Sequence, residues 1–381
     1  MPSLKETKAI APVLVAEGVR MARICNACRY CEGYCAVFPA LERRLDFTER
    51  DLAYLANLCH NCGACYYACQ YAPPHEFELN FPRMLAEIRG ASYRKYAWPD
   101  VLARAFERNG LVLSIATAAM LAAFLTGIGY AAGGSAFFAA HPDAEGAFYA
   151  LMPHAAMAWL FGVPFAFAVV ALGIGAARFW SDTEERSRDF ASAGSLSGAL
   201  ADASTLRYLG GGGDGCTYPD DRPSGLRRTF HHLTFYGFLL CFAATCVATV
   251  YHYVLRWPAP YPLASWPVIL GTIGGVGLLA GPAGLLWLRA ESDSALTSPR
   301  QTGMDLAFLV LLILVGSSGL SLLALRQTAA MGSLLAAHLG AVMALFLTLP
   351  YGKFVHAIYR FVALVRYHLE RKRPLPEIAS E

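Results

Sequence analysis

Three features of the sequence predict a mainly α-helical protein in two parts, a cysteine-rich N-terminal domain followed by a six-helix transmembrane bundle. Eight of its eleven cysteines fall between residues 25 and 69, in two copies of one spacing. Six long apolar runs follow. Charged residues make up only 15% of the 381-residue chain while apolar ones reach 56%; a soluble protein carries nearer a quarter charged. The surplus apolar side chains must face something other than water. A net charge of +3 is too small to argue for a nucleic-acid partner.

The first part spans residues 1–108. The stretch "MPSLKETKAIAPVLVAEGVR" carries acidic residues and offers no cleavage site before the cysteines, so it does not read as a signal peptide. The cysteine domain is therefore expected in the cytoplasm, where thiols stay reduced. "CNACRYCEGYC" and "CHNCGACYYAC" are both C-x2-C-x2-C-x3-C, the arrangement of bacterial two-cluster ferredoxins. In that arrangement the fourth cysteine of each word serves the other cluster. This predicts a ferredoxin-like α-helical domain with two [4Fe–4S] clusters. One would be held by Cys25, Cys28, Cys31 and Cys69, the other by Cys59, Cys62, Cys65 and Cys35. Zinc also takes four thiolates, but zinc sites use two separated CxxC pairs rather than four cysteines in eleven residues, twice. The proline usual after the fourth cysteine is replaced by Ala36 and Gln70. His60 and His75 lie near the words and are expected to be hydrogen-bonding or surface residues. Cys241 and Cys246 lie in an apolar run and read as small hydrophobes; Cys216 stands apart in a loop.

The second part, 109–360, holds apolar runs at roughly 111–132, 152–177, 233–255, 266–288, 305–325 and 334–356. Each reaches the roughly 20 residues that cross about 30 Å of hydrocarbon as a helix. Basic residues cluster before span one (Arg89, Arg94, Lys95, Arg104, Arg108), in the loop 178–229, and in the basic tail 361–381. The positive-inside rule then puts both termini and the cysteine domain in the cytoplasm. "LGGGGDGCTYPDDRPSG" in that loop reads as turn chemistry; the loop is expected to be mobile, or a docking surface for a soluble partner.

Ionisable residues at membrane depth are costly and default to function. His338 and His356 are spaced by about five turns, one face of one helix, about 27 Å apart along its axis. His231 and His252 lie within about 60° of a common face, and His232 fits less well. Antiparallel spans three and six would bring a histidine pair to each side: His231 or His232 with His356, and His252 with His338. Two stacked bis-histidine haems need such pairs. Without a CxxCH the haems would be b-type. His154 is the spare candidate. Arg227, Arg228, Arg256, Arg326 and Lys353 lie near these sites, where snorkelling or propionate pairing would suit them. No catalytic constellation is visible.

"CNACRYCEGYCAVFPALERR" and "LCHNCGACYYACQYAPPHEFELN", followed by a multi-span domain, resemble the tricarballylate/citrate-utilisation protein B family over nearly the whole chain. The membrane half is similar in architecture to the dihaem gamma-subunit of respiratory nitrate reductase. The resemblance implies a bacterial cytoplasmic-membrane electron carrier. It would reoxidise a soluble FAD-dependent dehydrogenase acting on a tricarboxylic acid and pass electrons to the quinone pool. The identity of the partner's substrate stays open. A tricarboxylate transporter or a redox sensor with regulatory clusters is the alternative.

Overall fold

A computed structural model describes residues 9–140 and 147–374. In chain order the helices are α1 (Pro12–Cys28), α2 (Val37–Leu41), α3 (Glu49–Leu58), α4 (Ala64–Tyr67), α5 (Phe81–Tyr96), α6 (Asp100–Gly133) and α7 (Ala147–Leu151). They continue with α8 (His154–Asp182), α9 (Ala193–Ser204), α10 (Leu226–Tyr253), α11 (Trp266–Ala290), α12 (Pro299–Leu325), α13 (Met331–Thr348) and α14 (Val355–Glu370). A two-residue antiparallel ladder pairs β1 (Cys216–Thr217) with β2 (Pro223–Ser224). The mainly helical architecture agrees with the sequence reading.

Local chemistry fixes the helices of the cysteine domain. Thr48 and Asp51 form a reciprocal capping box that starts α3. Asn80 accepts from the Arg83 amide to start α5, with Pro82 in the first turn, where a missing N–H costs nothing. Leu52, Tyr54, Leu55 and Leu58 of α3 are fully enclosed, packed with Leu85 and Ile88 of α5.

Among the described residues, six helices are long and apolar enough to cross a membrane: Gly110–Ala131 within α6, then α8, α10, α11, Gln301–Leu325 within α12, and α13. In the first three only 17%, 17% and 11% of the apolar window is buried inside the protein, leaving side chains such as Trp159, Val170 and Phe242 outward for lipid. Where helices do touch, small residues let them. A Cβ on Gly274 of α11 would stand 2.8 Å from the Gly237 carbonyl of α10, so only glycine permits this approach.

Three boundaries differ from expectation. Residue 108 falls inside α6, which runs unbroken from the cysteine domain into the first span. The sixth apolar run is two helices, not one. Pro350 cannot donate to the preceding turn, and the Thr348 carbonyl instead accepts from the Tyr351 and Gly352 amides at 3.1 and 2.8 Å. His338 and His356 thus belong to α13 and α14, and the five-turn phase between them does not hold. Finally, residues 361–370 are not tail. They form the second half of α14, whose Val362, Ala363, Leu364 and Val365 are buried in the same core as Leu52 and Tyr54. Glu370 is the buried anchor: it accepts from Arg44 Nη2 at 2.6 Å and from the Tyr54 hydroxyl at 3.0 Å, and it forms an ion pair with Arg366 at 3.0 Å. The expected basic tail past residue 374 lies outside the described residues.

The 178–229 loop is also more ordered than its glycines suggested. Its α9 packs on α14, with His368 Nε2 2.8 Å from Asp202. Gly211 and Gly212 take positive φ of 52° and 88°, and this lays the backbone against Ala64 and Tyr34. The glycines build a close-fitting cover over the cysteine words.

Candidate functional site

Both cysteine words are built the same way, as a helix end followed by a left-handed turn. α1 delivers Cys25 and Cys28, and Arg29 at φ 55° reverses the chain so that Cys31 faces back. α3 delivers Cys59, and Asn61 at φ 53° and Gly63 at φ 80° turn Cys62 and Cys65 inward. Two adjoining cavities result. Cys25, Cys28, Cys31 and Cys69 line the first, of about 230 Å³, walled by Leu79 and Phe81. Cys35, Cys59, Cys62 and Cys65 line the second, narrower one with Val37 and Leu85. Cys65, Phe38 and Phe81 belong to both walls. The first cavity thus gathers Cys25, Cys28, Cys31 and Cys69 together with Cys65, and the second Cys35, Cys59, Cys62 and Cys65. Among the described residues, no three His, Cys, Asp or Glu side chains converge as on a single ion; the thiols ring open volumes.

The donor chemistry fits a cationic iron–sulfur core. Burial pushes the Cys31 thiol up to about 12, and the neighbouring Cys69 and Cys28 thiolates add to this. Burial and the adjacent thiolates raise Cys25, Cys35 and Cys65 in the same way. Four thiolates crowded out of water repel one another, and positive iron at the centre offsets that repulsion. Such a core, held by four thiolates, would store and release single electrons.

A ninth cysteine was missed in the sequence. Cys216 is fully buried under the glycine-rich cover, its Sγ 3.1 Å from the Leu209 carbonyl and packed with Cys62. Its hydrogen-bonding proximity holds the Cys62 thiol below the usual range. The signal available in sequence was only its place beside the glycine run.

Arginines of α10, α14 and α5 hold the backbone of the second word. Arg227 Nη1 of α10 donates to the Asn61 carbonyl at 2.6 Å. Arg360 of α14 and Arg89 of α5 both donate to the Cys59 carbonyl at 2.7 Å. Arg227 lies one helical turn before His231, and Arg360 one turn after His356. The two imidazoles meet edge-on, ring centroids 5.9 Å apart. The structure thus brings His231, rather than His232, to His356; His232 lies against Tyr236 with its Nε2 buried and unpartnered.

His356 Nδ1 is 2.5 Å from the Lys353 carbonyl and donates to it, which leaves Nε2 as a lone-pair donor. His231 Nδ1 is buried without a partner. Burial, with the Arg360 charge next, holds His356 well below the usual histidine range and so neutral. His60 bridges the two regions. It is buried beside Cys59, anchored by Nδ1 at 3.1 Å from the Leu58 carbonyl, and kept neutral by burial and by Arg360. This donor set fits a metal-bearing group between His231 and His356.

The other side differs from expectation. His252 does not face His338. It stacks on His154, the spare, with centroids 3.5 Å apart and planes at 14°, and Tyr149 stands edge-on to both. His338 is hydrogen-bonded at 3.1 Å to Ser318 of α12. Four of the five cations expected near propionates have protein partners: Arg227 donates to the Asn61 carbonyl, Arg228 to that of Thr205 and Arg326 to that of Tyr261, and Lys353 pairs with Asp305.

The fold and site define a class: a protein with six helices able to span a membrane and an N-terminal cysteine domain of the iron–sulfur kind. Residues 18–95 match the family model described as the citrate utilization protein B Fer4-like domain, and residues 104–377 match that of citrate utilization protein B. Over 363 residues the chain is 50% identical to citrate utilization protein B of Escherichia coli, covering 94% of this chain and 93% of that protein. The chain belongs to the citrate utilization protein B family, as its cysteine words implied. No solved structure matches it.

Proposed function

We propose that this protein conducts electrons from a soluble flavoprotein dehydrogenase of tricarboxylate metabolism into the bacterial cytoplasmic membrane and on to quinone. One observation carries the reading: two cysteine quartets line adjoining cavities, and the second is clamped by Arg227 and Arg360 onto the helix ends that bear His231 and His356. Cys25, Cys28, Cys31 and Cys69 hold one [4Fe–4S] cluster, and Cys35, Cys59, Cys62 and Cys65 the other. His231 and His356 hold a b-type haem through imidazole nitrogens. No group is assigned to the His252–His154 stack. With four thiolates on each cluster no coordination position is open, so the clusters pass electrons and bind no substrate. The protein supplies positions and potentials: Arg89, Arg227 and Arg360 fix the second word, and the buried wall of Phe38, Phe81 and Leu85 excludes water. The cysteine-domain face is cytoplasmic, by the distribution of basic residues.

The test is a dithionite-reduced minus oxidised spectrum of the purified protein, with iron, labile-sulfide and pyridine haemochrome assays. About eight non-haem irons and one b haem per chain are expected. Eight irons with no haem would end the histidine part of the route; zinc in place of iron would end all of it.

A further inference from the structure

We propose that Arg89, Arg227 and Arg360 set the two cysteine quartets in order of potential. They make the Cys35, Cys59, Cys62 and Cys65 side the easier to reduce, so that electrons run inward toward His231 and His356. This rests on the conduction reading above and gives its route a direction.

The three guanidiniums come from different helices and converge on one short peptide stretch. Arg89 and Arg360 each donate to the Cys59 carbonyl at 2.7 Å, and Arg227 to the Asn61 carbonyl at 2.6 Å. The Cys59 sulfur is four bonds from that carbonyl oxygen, and Asn61 directly precedes Cys62. Among the described residues, the hydrogen bonds of all three arginines go to backbone oxygens rather than to a carboxylate. Asp305, whose charge reaches Arg227, is itself paired with Arg289 and Lys353 at 2.9 and 2.7 Å. Arg360 Nε is buried without a hydrogen-bond partner. Positive charge therefore collects, largely uncompensated, beside the second quartet.

The basic residues around the first word are placed differently. Arg20 pairs with Glu17 and Arg23 with Asp46 at 2.5 and 2.8 Å, and both, like Arg29, are exposed. Water and salt screen such charges. Hydrogen bonds to sulfur separate the two sides less: the Asn61 amide donates to Cys59 Sγ at 3.3 Å, and Gln70 Nε2 to Cys28 Sγ at 3.9 Å.

Reduction adds one negative charge to a cluster, and burial opposes that charge. Cys59 and Cys62 are buried, whereas Cys25, Cys28, Cys31 and Cys69 are half-buried. Burial alone would make the second side the harder to reduce. The same low dielectric magnifies the arginines. At an effective dielectric of about 20, a unit charge within about 12 Å biases such an equilibrium tenfold or more. Three of them reverse the order. One electron leaves the first side, oxidising it, and reduces the second. No bond or proton is exchanged, and the reduced flavin of the partner is the source.

Redox titration of the full-length purified protein, followed by electron paramagnetic resonance, reads the two one-electron steps separately. Arg360→Gln and Arg227→Gln each keep a donor for the carbonyl and lose the charge. Each is expected to make the higher-potential step about tenfold less favourable, a downward shift of about 59 mV, and to leave the lower midpoint near its place. Arg360→Lys, which keeps the charge, should restore the wild-type value. Arg23→Gln, on the exposed side of α1, should move neither midpoint. Unchanged midpoints in both glutamine variants at full iron content overturn the proposal. So does a shift confined to the lower midpoint, or a wild-type protein that titrates in a single step. Iron loss in both glutamine variants also overturns it, since the arginines then hold the quartet together rather than set its potential. The iron content of the wild-type protein decides separately whether the conduction reading stands.

Discussion

Each cysteine word contains one glycine between its ligands, and the structure distinguishes them sharply. Gly63 has φ 80°, and a Cβ there would meet the Thr217 carbonyl inside van der Waals contact and Leu296 Cδ1 at 3.0 Å. Gly33 has ordinary backbone geometry and nothing within 4 Å of a built Cβ. Gly63→Ala should cost about 1–2 kcal/mol for the left-handed conformation alone. Displacing β1 from the second word adds about 1–3 kcal/mol, because a buried carbonyl and its cover must move. At about 2–5 kcal/mol in total, the cover over Cys62 and Cys65 opens, and the second cluster becomes accessible to chelator and oxygen. Iron per chain is expected to fall from about eight toward about four, with loss of one of two interacting paramagnetic signals on reduction. Gly33→Ala should keep all its iron. If Gly63→Ala retains full iron and a wild-type chelation rate, the close-fitting cover is not what protects the second cluster.

Arg227→Met should cost about 1.5–3 kcal/mol, the value of a charge-assisted hydrogen bond. It should slow transfer beyond the clusters while iron content stays whole, as stopped-flow reduction would show. His231→Leu and His356→Leu are each expected to abolish the haem signal, whereas His232→Leu should leave it; pyridine haemochrome assays read all three. Glu370→Ala leaves Arg44 and Arg366 with Asp51 as their one remaining carboxylate, and weakening such a buried cluster costs about 3–5 kcal/mol. A clear drop in thermal midpoint together with cluster loss is the expected result, even though Glu370 is distant in sequence from every cysteine.

How much of this was legible in the sequence follows from the range of each interaction. The gathering of the cysteines into two adjoining cavities was, because a C-x2-C-x2-C turn is local and its geometry is set by spacing. The six spans were, because hydropathy is a property of segments. The histidine partners were only half legible. Helical phase places a residue on a face but does not say which helix lies opposite: His252 met His154 of α8, although both stand at the same end of their spans. One helix was expected across residues 334–356, where Pro350 in fact helps to end α13. The charges of Arg366 and Arg371 disguised α14 as tail, since its buried face shows only when Val362 and Val365 are read together with the anchor at Glu370. Cys216 and the glycines around it were illegible, because their role depends on a contact with residues more than a hundred positions away.

The place of α14 has a consequence for biogenesis. The core around the cysteines needs Val362, Val365 and Glu370 as much as Leu52 and Tyr54. Domains generally mature as units, N-terminal first, as they emerge from the ribosome. This one cannot, because its closing helix is synthesised after all six apolar helices. Nascent residues 9–97 must wait, thiols reduced, while the bundle is inserted into the membrane. Completion of this core is therefore expected to follow synthesis of α14, which pulse-labelled chains truncated before residue 355 would test by their loss of protease resistance in residues 9–97.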